Sequence, residues 1–237
     1  MNVNNYRAVL FDLDGVLTPT AEMHQRAWAE MFSAYLAKKD VTPYRPQDYF
    51  TYLDGRRRDE GIAALLKSRN LSLPHGDADD TANDETIVGL GVRKNDMFLD
   101  LLFDGIDPYP GSIAFLDSLT PASEGGPQLA VVSSSKNAGP VLEAAGIADR
   151  FPLLVDGLVA QELGLPGKPA PDTFCYAADQ LELKPEECVV VEDAISGVQA
   201  AAAGKFAAVI GVNRGAGREE MLAAGATIVV NDLQELV

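Results

Sequence analysis

Arg7-Ala8-Val9-Leu10-Phe11-Asp12-Leu13-Asp14-Gly15-Val16-Leu17-Thr18 is the stretch that decides the fold. Its apolar run, Ala8 to Phe11, stops at Asp-x-Asp-Gly, the pattern of a buried strand that ends abruptly in two carboxylates and a turn. Successive strand residues face opposite sides, so Asp12 and Asp14 share a face, about 7 Å apart at a rise of about 3.3 Å per residue. A small hard cation such as Mg²⁺ holds its oxygens at about 2.1 Å, so both carboxylates do not easily clamp one ion unless the chain bends at Gly15. The spacing favours two different jobs, one aspartate as nucleophile and the other as acid or base. The alternative at this point is that both merely cap the loop and the helix after it.

Beyond Thr20, Ala27/Trp28, Met31/Phe32 and Tyr35/Leu36 recur at helical spacing, which predicts a helix over 21–36 with Thr20 as its N-cap. His24 lies one turn in, either as a structural histidine or aimed at Asp14. A short helix is expected over 43–53, and a longer one over 57–69 with Ile62, Leu65 and Leu66 as its apolar stripe. Arg56, Arg57 and Arg58 at its start form either a solvated face or a place to hold phosphate. Residues 72–84 lack periodicity and read as a surface loop with a solvated His75; a third helix follows over about 85–103, carrying Arg93-Lys94-Asn95, until the run Asp104 to Gly111 stops it. No strand pattern occurs between Thr20 and Asp107, so an inserted helical domain is expected over 20–107, with residues 1–19 and 108–237 forming the other domain.

From Pro110 onward strands and helices alternate. Strands are expected over 128–132, 151–155, 188–191, 206–212 and 227–230, and helices over 111–119, 138–145, 173–181 and 195–203. This rhythm argues for a doubly wound, Rossmann-like parallel α/β sheet, whose ligands sit beyond the carboxyl ends of the strands. Three strands end there in polar clusters: Asp12/Asp14, Ser133 to Asn137, and Glu192/Asp193.

Composition narrows the function. With 237 residues and 47% hydrophobic content, a sizeable core is expected, and the net charge of −16 argues against nucleic acid and anionic membrane as partners. An anionic ligand then needs a site that is locally basic or metal-bearing. No apolar run reaches the roughly 18 residues of a membrane span, and no signal segment is read at the start, so a cytoplasmic protein is expected. Cys175 and Cys188 show no metal-ligand spacing and read as small buried hydrophobes.

The strand ends offer four carboxylates, a Ser run, and Lys168 in the loop Gly167-Lys168-Pro169-Ala170-Pro171-Asp172. Carboxylates from two strand ends can share Mg²⁺, while Ser and Lys supply donors to an oxyanion, a set suited to phosphoryl transfer through an aspartate nucleophile. No P-loop competes, and Gly215-Ala216-Gly217 reads as a turn after a strand.

Phe11-Asp12-Leu13-Asp14-Gly15-Val16, Ser133, Lys168-Pro169-Ala170-Pro171-Asp172 and Val191-Glu192-Asp193 resemble, in order, the four motifs of the haloacid dehalogenase superfamily. The resemblance spans almost the whole chain. The Ser133 to Asn137 run, His24, the Gly55 to Arg58 loop and Arg93-Lys94-Asn95 resemble more closely the β-phosphoglucomutase branch, which carries a helical cap after the first strand. That resemblance implies roles. Asp12 is the residue phosphorylated and a Mg²⁺ ligand, and Asp14 is the acid/base and offers its backbone carbonyl to the ion. Glu192 and Asp193 complete the metal side. Ser133 and Lys168 hold the transferring phosphoryl group, and Arg58, Ser135, Lys136 and Asn137 grip a second phosphate. Lys94 and Gly55 touch the sugar, and His24 supports Asp14.

The implied reaction interconverts β-glucose 1-phosphate and glucose 6-phosphate through the 1,6-bisphosphate, which also serves as activator, in a monomer. A sugar-phosphate phosphatase that passes the same phosphoryl group to water is the alternative. A dehalogenase has no use for Asp14 and the metal-side pair, and a non-catalytic binding protein has no use for all four motifs. Pro19, the basic pair Arg56-Arg57 and the 72–84 insertion depart from the branch and bear on which sugar phosphate is taken.

Overall fold

A computed structural model describes residues 1–103 and 105–237; Asp104, read as the first residue of the stop after the third helix, lies outside the described residues. The elements run β1 (Ala8–Phe11), α1 (Thr20–Leu36), α2 (Pro46–Asp48), α3 (Arg58–Ser68), α4 (Ile87–Leu102), α5 (Pro110–Ser118), β2 (Gln128–Val132), α6 (Ala138–Ala144), β3 (Leu153–Val155), α7 (Gly157–Glu162), α8 (Asp172–Gln180), β4 (Cys188–Glu192), α9 (Ile195–Ala203), β5 (Ala208–Val212), α10 (Arg218–Ala224) and β6 (Ile228–Val230). They fall into two compact units, Met1–Thr20 with Ile106–Val237, and Ala21–Gly105.

In the first unit all six strands are parallel, in the order β3-β2-β1-β4-β5-β6. Every residue of β1, β4 and β5 is buried, as strands covered on both faces must be. Alternation along β1 divides the core. Ala8 and Leu10 join Phe174 and Ala177 of α8 and Val198 of α9. Phe11 turns the other way, edge-on to Phe115 of α5 and to Phe151, with ring centroids 6.2 and 5.8 Å away. Helices therefore cover both sides of the sheet. The strand order reverses next to β1, with β2 and β3 to one side and β4 to β6 to the other. The carboxyl ends of β1 and β4 thus flank the switch point, where such sheets open a crevice.

The second unit is helical. Trp28, Met31, Phe32 and Tyr35 of α1 pack with Ile62, Leu65 and Leu66 of α3 and Leu90 of α4. The region 43–53, expected as one helix, is regular only over α2 and continues as a π-helical turn, Tyr49–Leu53. The loop before α4 is tied to it: the Thr86 hydroxyl accepts from Gly89 N at 2.9 Å, and Arg93 Nε donates to Ala82 O at 2.8 Å.

Two helices escape the periodicity reading. In α7 only six residues are helical; the Asp156 carboxylate caps its start by accepting from Leu158 N and Val159 N, each at 2.9 Å. So short a helix, with Leu158 exposed, carries no apolar stripe. In α10 the seven residues are bounded by Gly217 and Gly225, both at positive φ, so the turn-like composition conceals a helix. Thr20 is also corrected: it is the first residue of α1, and its hydroxyl turns back to Asp14. Among the described residues no helix is long and apolar enough to cross a membrane.

Candidate active site

At the end of β1 the ladder extends one residue further, with Asp12 N donating to Val191 O at 2.9 Å. This carries the Asp12 carboxylate just past the sheet, where it is buried. Lys168 reaches the same point from the loop between α7 and α8. Its Nζ donates to Asp12 Oδ1 at 2.5 Å, to Glu192 Oε1 at 2.6 Å and to Val132 O at 3.2 Å. An ammonium has three protons, and these three acceptors use them all. They belong to β1, β4 and β2, so one lysine joins the ends of the three central strands. The Phe174 ring lies beneath it, 4.8 Å from Nζ to the centroid.

The charges are strongly coupled. Burial pushes the Asp12 carboxyl well above the usual carboxylate range; Lys168 opposes that rise, and Glu192 and Asp14 add to it. Burial works against the Lys168 charge, but Asp12 and Glu192 together outweigh it and raise its pKa above that of an ordinary lysine. Lys168 therefore stays an ammonium, and it is the group that makes two buried carboxylates tolerable.

Asp14 stands in different surroundings. It is half-buried, and its Oδ1 accepts from the Thr20 hydroxyl while Oδ2 accepts from Ser133 Oγ at 3.3 Å. Thr20 is held in turn by Thr18, 2.8 Å away between hydroxyl oxygens, and Gly15 N donates to Thr18 O at 2.8 Å to close the loop. Two hydroxyls can keep hydrogen bonds to a carboxylate or a carboxylic acid, so this setting accommodates either protonation state. Of the two aspartates, Asp12 is placed against a fixed cation and Asp14 on adaptable donors.

Gly15 has φ +83°, and a Cβ there would lie 1.9 Å from Asp193 Oδ2. The Asp193 carboxylate thus occupies the space that a side chain would take, next to the Asp14 backbone. Glu192 differs from the expected metal-side pairing: its Oε1 is on Lys168, and its Oε2 accepts from Ala194 N at 2.9 Å. A Cβ at Gly197 would fall 1.7 Å from Oε1, so this orientation of Glu192 depends on a glycine in α9. Among the described residues no group of three or more His, Cys, Asp or Glu side chains is arranged to hold a metal. The residues present suit an ion that takes two carboxylates and a backbone carbonyl and keeps several waters, which is how Mg²⁺ binds.

The Ser run winds tightly after β2. Ser133 Oγ accepts from Ser135 N at 3.0 Å, and Ser135 Oγ accepts from Asn137 N at 3.2 Å. Lys136 donates to the side-chain oxygen of Gln161 in α7.

In the helical unit, His24 Nδ1 and Lys94 Nζ are 2.5 Å apart. An ammonium can only donate, so with Lys94 charged, Nδ1 accepts and the ring proton sits on Nε2. His24 stacks on Phe98 at 4.1 Å between centroids, and Lys94 Nζ lies 4.8 Å from the Phe98 centroid and 5.1 Å from that of Trp28. Arg58 donates to Asn95 Oδ1 at 2.7 Å and to Gly91 O at 3.5 Å, linking α3 to α4. Gly55 sits just before, at φ +68°.

Asp12, Asp14, Ser133, Lys168, Glu192 and Asp193 are thus brought together in the α/β unit, while His24 and Lys94 meet in the helical one. Sequence reasoning missed Thr20 as the partner of Asp14, Phe174 beneath Lys168, and Gln161. The pair Thr18 and Thr20, directly after the Asp-x-Asp-Gly turn, was the available signal for the first; nothing local marked the other two.

Comparison with known proteins places this geometry. A family model described as haloacid dehalogenase-like hydrolase matches residues 6–205. A β-phosphoglucomutase from Mycobacterium bovis is 47% identical over 244 residues, covering 98% of this chain and 91% of that protein. Among solved structures, β-phosphoglucomutase from Clostridium difficile superposes with a TM-score of 0.76 at 27% identity, covering 98% of this chain and 93% of that one. CbbY from Rhodobacter sphaeroides, in complex with xylulose-(1,5)bisphosphate, superposes with a TM-score of 0.73 at 26% identity, covering 98% and 96%. The chain belongs to the haloacid dehalogenase-like hydrolase family.

Proposed function

We propose that this protein is a β-phosphoglucomutase, interconverting β-glucose 1-phosphate and glucose 6-phosphate by way of a phosphorylated aspartate. The observation that carries the reading is the contrast between two aspartates at one strand end, Asp12 against Lys168 and Asp14 on two hydroxyls. The identity and coverage shared with the mycobacterial β-phosphoglucomutase support the choice of sugar.

An Asp12 oxygen attacks phosphorus, the bond from phosphorus to the sugar oxygen breaks, and Asp14 gives its proton to the departing oxygen. In the reverse sense Asp14 takes the proton of the other sugar hydroxyl as that oxygen attacks the phosphorus of the phosphoaspartate, and the bond from phosphorus to the Asp12 oxygen breaks to return a free carboxylate. As charge builds on the phosphoryl oxygens, Lys168 turns to them the proton it otherwise gives Val132 O, and Ser133 turns its hydroxyl proton from Asp14, while the bonds of Lys168 to Asp12 and Glu192 hold the nucleophile in line. Asp12, Asp193 and the Asp14 carbonyl would hold Mg²⁺, and family membership is consistent with dependence on that ion. When bound, the ion neutralises the phosphoryl oxygens that an anionic nucleophile must approach. Glu192 serves as the second anchor of Lys168. Arg58, Ser135, Lys136 and Asn137 are assigned to the second phosphate, and Lys94 and Gly55 to the sugar, with glucose 1,6-bisphosphate as activator. His24 keeps Lys94 in place.

The test mixes protein, Mg²⁺, β-glucose 1-phosphate and a trace of glucose 1,6-bisphosphate and follows glucose 6-phosphate and free phosphate together. Glucose 6-phosphate without phosphate release is the expected result. Phosphate release without isomerisation would replace the proposal with a phosphatase.

A further inference from the structure

Three consecutive carbonyls after Asp14 are each held from outside the loop. Gly15 O accepts from Arg214 Nε at 2.9 Å, Val16 O from Ser112 Oγ at 2.6 Å, and Leu17 O from Tyr109 N at 2.9 Å. Two of these tethers are neutral and come from the start of α5. The third is a guanidinium from the loop after β5, and it falls on the residue least restrained by itself: Gly15, at φ +83°, has no side chain to limit its rotation.

Arg214 is itself firmly held. Its guanidinium carbon lies 3.8 Å from the centroid of the Tyr109 ring, and its other donors reach Asn231 O at 3.2 Å and Asp232 Oδ2 at 3.5 Å. Asp232 is confined in turn, since a Cβ at Gly111 would lie 1.6 Å from its Oδ1. A planar fork can stack on a ring and serve three acceptors at once, which a lysine cannot do. The Gly15 carbonyl belongs to the peptide just after the one that joins Asp14 to Gly15, and a glycine Cα with no side chain separates the two, so fixing that carbonyl limits the rotation at Gly15 through which the Asp14 backbone would shift.

We propose that Arg214 is a positioning residue: by fixing the Gly15 carbonyl it aims Asp14 at the oxygen that must gain or lose a proton. This rests on the role of Asp14 given above. A misaimed acid/base slows only steps that need a proton. Acetyl phosphate supplies the contrast, because its phosphorus–oxygen bond breaks to expel acetate, which leaves without one.

The experiment compares wild type, Arg214→Met and Arg214→Lys, each at a Mg²⁺ concentration shown to saturate that variant so that a weakened ion site does not enter, measuring kcat and KM with β-glucose 1-phosphate and the rate at which acetyl phosphate phosphorylates Asp12. In Arg214→Met, kcat with the sugar phosphate should fall about 10- to 100-fold with little change in KM, the scale of a displaced acid/base. Phosphorylation by acetyl phosphate should stay within about threefold. Arg214→Lys, which keeps one donor for Gly15 O, should recover part of the loss. An equal loss with both donors would make Arg214 merely structural, and an unchanged kcat with the sugar phosphate would remove it from the mechanism. Either result overturns the inference. If wild type releases phosphate instead of isomerising, the proposed mutase fails, and the same variant-to-wild-type ratio, read on phosphate release, still decides the role of Arg214.

Discussion

Each unit of this protein buries one lysine almost completely, and the two are accommodated by opposite means. Lys168, in the α/β unit, gives its three protons to two carboxylates and a carbonyl. Lys94, in the helical unit, lies between the rings of Trp28 and Phe98 with the His24 imidazole at its head. A lysine on two carboxylates is locked in charge and place and cements the strand ends. A lysine over rings is held by its attraction to the ring faces, which bind its protons less strongly than carboxylates do. In the function proposed above, the first of these lysines holds the nucleophile and the second is assigned to the sugar.

Asp12→Asn should lower turnover by about 10⁴-fold or more, the scale of losing a nucleophile, and mass spectrometry should find no phosphoenzyme. An active variant would remove Asp12 from that role. Next, Lys168→Met should lower kcat by about 10²- to 10³-fold and cost about 3–5 kcal/mol in urea unfolding, because both buried carboxylates lose their partner. Lys94→Met should cost less, about tenfold in kcat/KM, chiefly through KM. If Lys94→Met proves as damaging to stability as Lys168→Met, the contrast between the two settings is wrong.

The smallest expected effect is a dependence of stability on alkaline pH. Burial pushes the Cys188 thiol up to about 12, with Glu187 adding and Arg7 opposing, and burial with help from Asp48 pushes Tyr44 up to about 12. In both cases the unfolded chain loses its proton first, near about 8.5 for a thiol and about 10 for a phenol. Between those values and about 12 the unfolded state binds fewer protons, so stability falls as pH rises, by at most about 1.4 kcal/mol per pH unit for each group. Lys168 adds nothing in the first window: its pKa is raised, so its contribution is complete below about 10.4 and is lost only above that. Urea midpoints should therefore decline from pH 9 to 10 in wild type and less steeply in Cys188→Ala, where the Cys175 thiol, also pushed up by burial and by Asp172 and Asp179, keeps part of the slope. Tyr44→Phe should flatten only the range above about 10.

Much of the fold was legible because its signals are local. The apolar run of β1 and its arrest at Asp12, the helical spacing of α1, and the strand–helix rhythm after Pro110 are patterns within a few residues of each other. The expected doubly wound sheet follows from that rhythm, and the observed strand order places the ends of β1 and β4 at its switch point. What resisted reading was short or polar. Neither α7 nor α10 has room for two turns of an apolar stripe, and both are marked by an Asp cap or bounding glycines that also mark loops.

For the site, residue types were visible and partners were not. Glu192 next to Asp193 reads as one acidic pair, yet the strand end sends the first to Lys168 and leaves the second over Gly15. Nothing in the sequence pairs Asp14 with Thr20, whose hydroxyl donates to it, or His24 with Lys94, 70 residues away.

The sequence alone determined which chemistry is available: a strand ending in two aspartates, a serine run, a lysine between prolines, and an acidic pair after another strand. Only the tertiary structure decided which of these groups neutralise one another and which stay poised to react. Lys168 and Asp12 are 156 residues apart, and Arg214 and Gly15 are 199 apart. Contacts at that range are set by strand register and by what each buried charge must find once water is excluded, and no pattern of neighbouring residues encodes them.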